Sequence, residues 1–240
     1  MIKVIHVKSK KEMGEVAAEY YRKQLLAKPD SVFAFATGDT PIPLYQKLVA
    51  LCRAGDADFS RAKTVNLDEY AGLDVKNVNS YRAFMDRNLF DGINIKKENT
   101  HLPDGMRADR AAACREYNDL LEAIGTRDIQ LLGIGHNGHI GFNEPADALS
   151  PVTFEVTLTE STIRANSRFF ANEDEVPKSA MTMGMAQILD ANLILLLVSG
   201  TAKHDILQQA IYGPITTQNP ASFVQLHKNV VVIDATDNDD

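Results

Sequence analysis

Short aliphatic runs alternate along the chain with segments whose apolar residues recur at helical spacing. Six runs are strand candidates: Ile2–Val7, Val32–Ala36, Thr64–Leu67, Ile129–Ile134, Leu193–Val198 and Val230–Ile233. They are mostly continuous rather than alternating, the pattern of strands covered on both faces. Val152–Leu158 differs. Val152, Phe154, Val156 and Leu158 alternate with Thr153, Glu155 and Thr157, which predicts a strand with one wet face. Between the strands, Met13, Val16, Ala17 and Tyr20 keep the spacing i, i+3, i+4, i+7. Further stripes run through Tyr81, Phe84, Met85 and Leu89, through Tyr117, Leu121 and Ile124, and through Leu207, Ala210 and Ile211. Such alternation predicts an α/β fold with an open, mainly parallel sheet and helices on both faces.

A length of 240 residues fits one domain spanning 1–240. No internal repeat or low-complexity linker interrupts it, and the acidic tail Asp237–Asp240 is expected to fray. A net charge of −7 opposes a nucleic-acid partner, which needs a basic field. It still permits a small phosphorylated ligand held by local cations. Cys52 and Cys114 lie far apart without metal or disulfide spacing, as expected of thiols in a reducing cytoplasm. Met1–Val7 is too short for a signal peptide, and no apolar run approaches the roughly 20 residues of a membrane span. A cytoplasmic location with no membrane partner is the expectation.

In open α/β sheets ligands sit beyond the C-terminal ends of the strands. Four strand ends therefore carry the candidate chemistry. After Val32–Ala36, Thr37-Gly38-Asp39-Thr40-Pro41 feeds a helix-like segment, with Thr40 as a possible cap and Pro41 in the first turn. The stretch is equally an anion site or an ordinary capped turn, and Asp39 opposes an anion unless its side chain turns away. After Thr64–Leu67 comes Asp68-Glu69-Tyr70, where alternation lets at most one carboxylate enter a shared cleft. A desolvated carboxylate there suits a general base, while the tripeptide alone is also an ordinary solvated turn.

After Ile129–Ile134 the chain reads Gly133-Ile134-Gly135-His136-Asn137-Gly138-His139-Ile140-Gly141-Phe142-Asn143-Glu144-Pro145. Its first six residues match the dinucleotide pattern G-x-G-x-x-G. That pattern needs a helix next, and Gly141, Pro145 and Pro151 make a poor one. His139, with Asn143 and Glu144 nearby, instead offers an imidazole with polar partners, a proton-transfer unit near neutral pH. After Leu193–Val198, Gly200-Thr201-Ala202-Lys203 puts a lysine at a helix start, where it opposes the dipole and an anion would offset it. Arg164 and Arg168 add cations that are either further anion ligands or surface charge.

Taken together, these segments, with Ser80-Tyr81 and Ala165-Asn166-Ser167-Arg168-Phe169-Phe170, resemble the glucosamine-6-phosphate deaminases, in the superfamily that also holds 6-phosphogluconolactonase. The likeness runs in order over nearly the whole chain, and the N-G-H-I-G-F-N-E-P string is its most specific part. It implies a Rossmann-like fold and the conversion of D-glucosamine 6-phosphate and water to D-fructose 6-phosphate and ammonia, without metal or organic cofactor. By the same resemblance Asp68 is the C2–C1 proton carrier, His139 opens the sugar ring, and Glu144 holds and polarises the imidazole. Thr37, Gly38, Asp39, Thr40, Arg168 and Lys203 bind phosphate, Gly135 brings backbone close to the sugar, and Tyr81 lies in a lid. A lactonase-like hydrolase and a phosphosugar sensor without turnover are the rival readings. Three departures stand out. Asp39 occupies a position where many relatives have glycine or serine. Asn137, an uncharged orienter of His139, replaces an aspartate of enteric members. Residues 146–156 lack the Arg and Lys of an allosteric site, which implies no activation by N-acetylglucosamine 6-phosphate. The chain ends early compared with the enteric hexamers, which favours a monomer.

Overall fold

The computed structural model describes residues 2–237; the tail residues 238–240 lie outside it. Seven strands form a parallel sheet: β1 (Ile2–His6), β2 (Val32–Phe35), β3 (Lys63–Asn66), β5 (Thr100–His101), β6 (Ile129–Gly133), β9 (Ile194–Ser199) and β10 (Val230–Ala235). Their spatial order is β1-β10-β9-β6-β2-β3-β5. All residues of β2, β9 and β10 are buried, so both faces of the sheet are covered, as their unbroken apolar runs predict.

The helices are α1 (Lys10–Ala27), α2 (Ile42–Ala54), α3 (Tyr81–Asn88), α4 (Arg110–Ile124), α5 (Glu160–Asn166), α6 (Met185–Leu189) and α7 (His204–Tyr212). The predicted stripes face inward. Met13 and Ala17 of α1, Met85 of α3, Tyr117 and Leu121 of α4, and Leu207, Ala210 and Ile211 of α7 are all buried. Between α1, α2 and β2, Tyr21 stacks on Phe35 at 5.5 Å, and Phe35 meets Tyr45 edge-on at 5.5 Å. Each such pair adds about 0.5–1.5 kcal/mol beyond area burial. The Tyr45 hydroxyl donates to the Ala36 carbonyl. This aromatic stack thereby anchors the strand end from which the Thr37 loop departs.

A second sheet was not foreseen. β4 (Asp68–Tyr70), β8 (Ser179–Thr182) and β7 (Phe154–Thr157) pair antiparallel in the order β4-β8-β7. β7 alternates between half-buried and exposed positions, as its sequence pattern requires. β4 leaves β3 after one residue, Leu67. The Leu67 N–H donates to Phe35 of β2 at 3.1 Å, and its carbonyl accepts from Met183, just past β8, at 2.8 Å. One residue is thus bonded to both sheets. Asp68-Glu69-Tyr70 follows the end of β3 as expected, but it is a buried strand and not a solvated turn.

Candidate active site

The four strand ends singled out above are neighbours, because β9, β6, β2 and β3 stand side by side. The connection order reverses between β6 and β2, the position where open α/β sheets bind ligands. Beyond these ends lies a cavity of about 710 Å³, lined among others by Thr37, Gly38, Asp39, Thr40, Asp68, Tyr81, Gly135, Asn137, His139, Arg168 and Lys203. Of the residues predicted for the site, Glu144 alone stands behind this lining.

Asp68 and Glu69 point opposite ways along β4. Asp68 faces the cavity. Glu69 turns beneath α3 and accepts the N–H groups of Tyr70, Tyr81 and Arg82 at 2.9, 2.9 and 2.8 Å. Burial raises the Glu69 carboxyl, and these three donors oppose the rise. Negative charge therefore settles first on Glu69, where donors and the helix N-terminus receive it. Asp68 has no such compensation. Burial, reinforced by the charge of Glu69, raises it to about 8. The pair divides its labour: one carboxylate organises the wall, and its neighbour is left with a high proton affinity.

The loop after β6 carries the imidazole. Gly135 accepts from the Gly138 N–H at 3.0 Å and donates to the His139 carbonyl at 2.9 Å, so the chain doubles back and the ring comes over Gly135. A Cβ at Gly135 would lie 2.1 Å from the ring Cε1 and 2.3 Å from Nδ1. This glycine makes room for the imidazole first and for any sugar second. Gly135→Ala is expected to displace the ring and lower kcat/KM about 10²-fold while thermal stability changes little; kinetics beside a melting curve check this.

His139 Nδ1 lies 2.7 Å from Asn137 Oδ1, and Asn137 Nδ2 donates to Glu144 Oε2 at 2.6 Å. Thr162 holds the other carboxylate oxygen at 2.6 Å. Glu144 is 3.6 Å from Nδ1, too far for a hydrogen bond. The carboxylate thus reaches the ring through the amide, where the sequence pointed to direct contact. Bonded to a carboxylate, the amide nitrogen must face Glu144, so its oxygen faces the ring. An acceptor there requires Nδ1 to carry the proton, which leaves Nε2 as the basic nitrogen. Burial pushes the Glu144 carboxyl up, but His139, Thr162 and Asn137 outweigh it and hold Glu144 at about 2. Asn143 does not serve the imidazole. Its side-chain amide donates to the Ile140 and Met183 carbonyls at 3.1 and 2.8 Å, tying the loop to the end of β8. No helix follows the loop; residues 139–153 run through turns to β7, which removes the dinucleotide reading.

At the far end of the cavity the cations gather. α2 begins at Ile42 with Pro41 as its cap and no side-chain cap bond, so Thr40 is not the cap. The Lys203 ammonium, at the start of α7, is lowered by burial and by the charges of Lys10 and Arg168, while Asp39 opposes the shift. Arg168 Nη2 lies 2.7 Å from Asp39 Oδ2, so the Asp39 side chain does not turn away. Arg164, by contrast, is exposed and absent from the cavity wall. Tyr81 stacks on Phe142 with centroids 6.1 Å apart and planes at 4°, forming an aromatic wall with Tyr70. Thr162, His136 and Phe142 also line the cavity, and sequence reasoning assigned them no role. Thr162 gave no signal, since its partner Glu144 is 18 residues away.

Residues 8–233 match the model of the glucosamine-6-phosphate isomerases/6-phosphogluconolactonase family. The chain belongs to this family. Among its glucosamine-6-phosphate isomerase relatives, a glucosamine-6-phosphate deaminase of Lachnoclostridium phytofermentans is 50% identical over 97% of this chain and 98% of its own. The corresponding protein of Thermoanaerobacter pseudethanolicus is 46% identical over 97% and 92%. A solved monomeric glucosamine-6-phosphate deaminase superposes with a TM-score of 0.93 at 42% identity, covering 96% of both chains. The 6-phosphogluconolactonase of Thermotoga maritima shares the fold, with a TM-score of 0.73 at 19% identity. Among the described residues, no helix is long and apolar enough to cross a membrane.

Proposed function

We propose that this cavity converts D-glucosamine 6-phosphate and water to D-fructose 6-phosphate and ammonia. The observation that carries the reading is a single pocket with a high-affinity proton carrier, Asp68, and an oriented imidazole, His139, at the chemical end, and Arg168 and Lys203 at the other. Phosphate between the two cations and the Thr37–Thr40 loop fixes one end of the sugar. Remote binding energy is then used to hold C2 near the base. His139 Nε2 takes the O1 proton and returns a proton to O5, which opens the pyranose. Asp68 takes the C2 proton while the aldehyde O1 gains one from the substrate's ammonium group, leaving an enolamine, and delivers its proton to C1 on the same face. Water then adds to the C2 imine and ammonia leaves. Each acid–base group contributes about 10²–10⁴-fold.

The deciding experiment adds glucosamine 6-phosphate to the folded protein and measures ammonia and fructose 6-phosphate together. Absence of both ends the proposal. Ring opening of 6-phosphogluconolactone in place of deamination would transfer the site to the lactonase reading. Lys203→Ala is expected to raise KM about 10- to 100-fold, the worth of a hydrogen bond to a charged group, and to leave the melting temperature within a few degrees. An unchanged KM would remove Lys203 from the phosphate. The chain is read as a single catalytic unit acting as a monomer in the cytoplasm; light scattering checks the assembly.

A further inference from the structure

Asp39 places a negative charge among the cations that the proposed phosphate needs. Its carboxylate is not committed to folding, since α2 has no side-chain cap bond and no acidic residue in its first turn. Instead it lies 2.7 Å from Arg168 Nη2, within the same cavity wall. Lys203 feels both partners, Arg168 as a like charge and Asp39 as an opposite one, so the three groups share one electrostatic field. The side chains of Asp39 and Arg168 are 47% and 64% exposed. An ion pair so open to water is weak and exchangeable.

We propose that Asp39 is a resident counter-anion: it holds Arg168 in the free protein and gives it up to the substrate phosphate. This rests on the phosphate-binding reading of the cavity. A phosphate monoester brings nearly two charges and three acceptor oxygens, and it can take the guanidinium fork with two parallel bonds. It therefore outcompetes a single carboxylate, but it must first displace that carboxylate and then sit beside it. Asp39 thus lowers the affinity of the cradle for every anion. A phosphosugar offsets the loss through contacts along the rest of the cavity, whereas a bare anion has none. Asp39 in this role is a positioning and selectivity residue that keeps free phosphate from filling the site.

The test compares inorganic phosphate as a competitive inhibitor of the wild-type protein and of Asp39→Asn. The substitution keeps shape and removes charge. We expect phosphate to bind about fivefold more tightly to the variant, and KM for the phosphosugar to fall as well. Tighter binding is a result that local misfolding does not produce. In an Arg168→Gln background the gain from Asp39→Asn is expected to shrink to less than half, because the carboxylate no longer withholds the guanidinium. Equal or weaker phosphate inhibition of Asp39→Asn overturns the proposal and leaves the phosphate site standing. A gain of the same size without Arg168 overturns it too, reducing Asp39 to general repulsion. Failure of phosphate to compete with substrate in either protein removes the phosphate site, and the proposal with it.

Discussion

Asp68→Asn abolishes exchange of the C2 proton with solvent while the phosphosugar still binds. The carboxamide keeps the shape of the side chain and removes its ability to carry a proton, so kcat is expected to fall at least about 10²–10⁴-fold. Proton NMR of the C2 position in deuterium oxide reads this directly. Exchange at the wild-type rate would remove Asp68 from the role of base. The same residue sets a pH dependence whose sign is fixed. The base is the ionised carboxylate, which burial and Glu69 disfavour up to about pH 8. Wild-type kcat/KM therefore rises with pH and levels near 8. Stability moves the other way. A folded-state value above the ordinary 3.8 means that the native protein holds a proton which the unfolded chain has already lost. Between about pH 4 and 8 this residue's contribution to stability falls as pH rises, and above 8 the full penalty applies. Asp68→Asn is free of that penalty, so it should melt higher than wild type at pH 9. A site that stabilises the fold when disarmed is what a strained catalytic group predicts.

His139→Gln separates ring opening from proton transfer. The glutamine amide cannot carry a proton from O1 to O5, so turnover of the cyclic sugar drops about 10²–10³-fold, toward the uncatalysed opening rate. Once the chain is open, Asp68 acts without the imidazole. C2 exchange on an open-chain analogue such as 4,5-dideoxyglucosamine 6-phosphate, which keeps the C1 aldehyde but lacks the hydroxyls that close a ring, should therefore persist close to the wild-type rate. Equal activity on the cyclic substrate would clear His139 of the ring-opening step. Loss of exchange on both forms would show that the imidazole shapes the whole site instead. The His139 side chain is 28% exposed and joins no hydrophobic cluster, so the fold itself should be little affected.

The parallel sheet was legible because burial on both faces writes itself as unbroken aliphatic runs. All six such runs fall on strands of the large sheet. β4, β5 and β8 left no such mark. β4 and β5 have three and two residues, too few for any period to show; β8, Ser-Ala-Met-Thr, has neither an unbroken aliphatic run nor an alternation, and it is paired with strands distant in sequence. Asp68-Glu69-Tyr70 is the clearest case. Three polar or amphipathic residues look like a turn, yet pairing with Thr182, Met181 and Ala180 makes them a strand. The cavity residues were legible as strand ends and as a family string. Their connections were not. That Asn137 stands between Glu144 and His139, that Thr162 steadies Glu144, and that Asp39 takes Arg168 are facts of a folded loop. The Glu144 contacts span 7 and 18 positions and the Asp39–Arg168 pair 129, which leaves no local pattern to read.

Leu67 has a consequence for how this site can change by descent. It is the one residue between β3 and β4, and its backbone is bonded into both sheets. The strand it feeds has period two, so a single inserted or deleted residue there exchanges the two faces. The aspartate would then lie under α3 and the glutamate would enter the cavity, each with the wrong reach. Substitutions at this seam can be tried one at a time, but changes in length cannot. The spacing from Asn66, paired with Phe35, to Asp68, paired with Thr182, is bounded by two hydrogen-bonded frames, and descendants of this protein should vary the letters at the seam long before they vary its count.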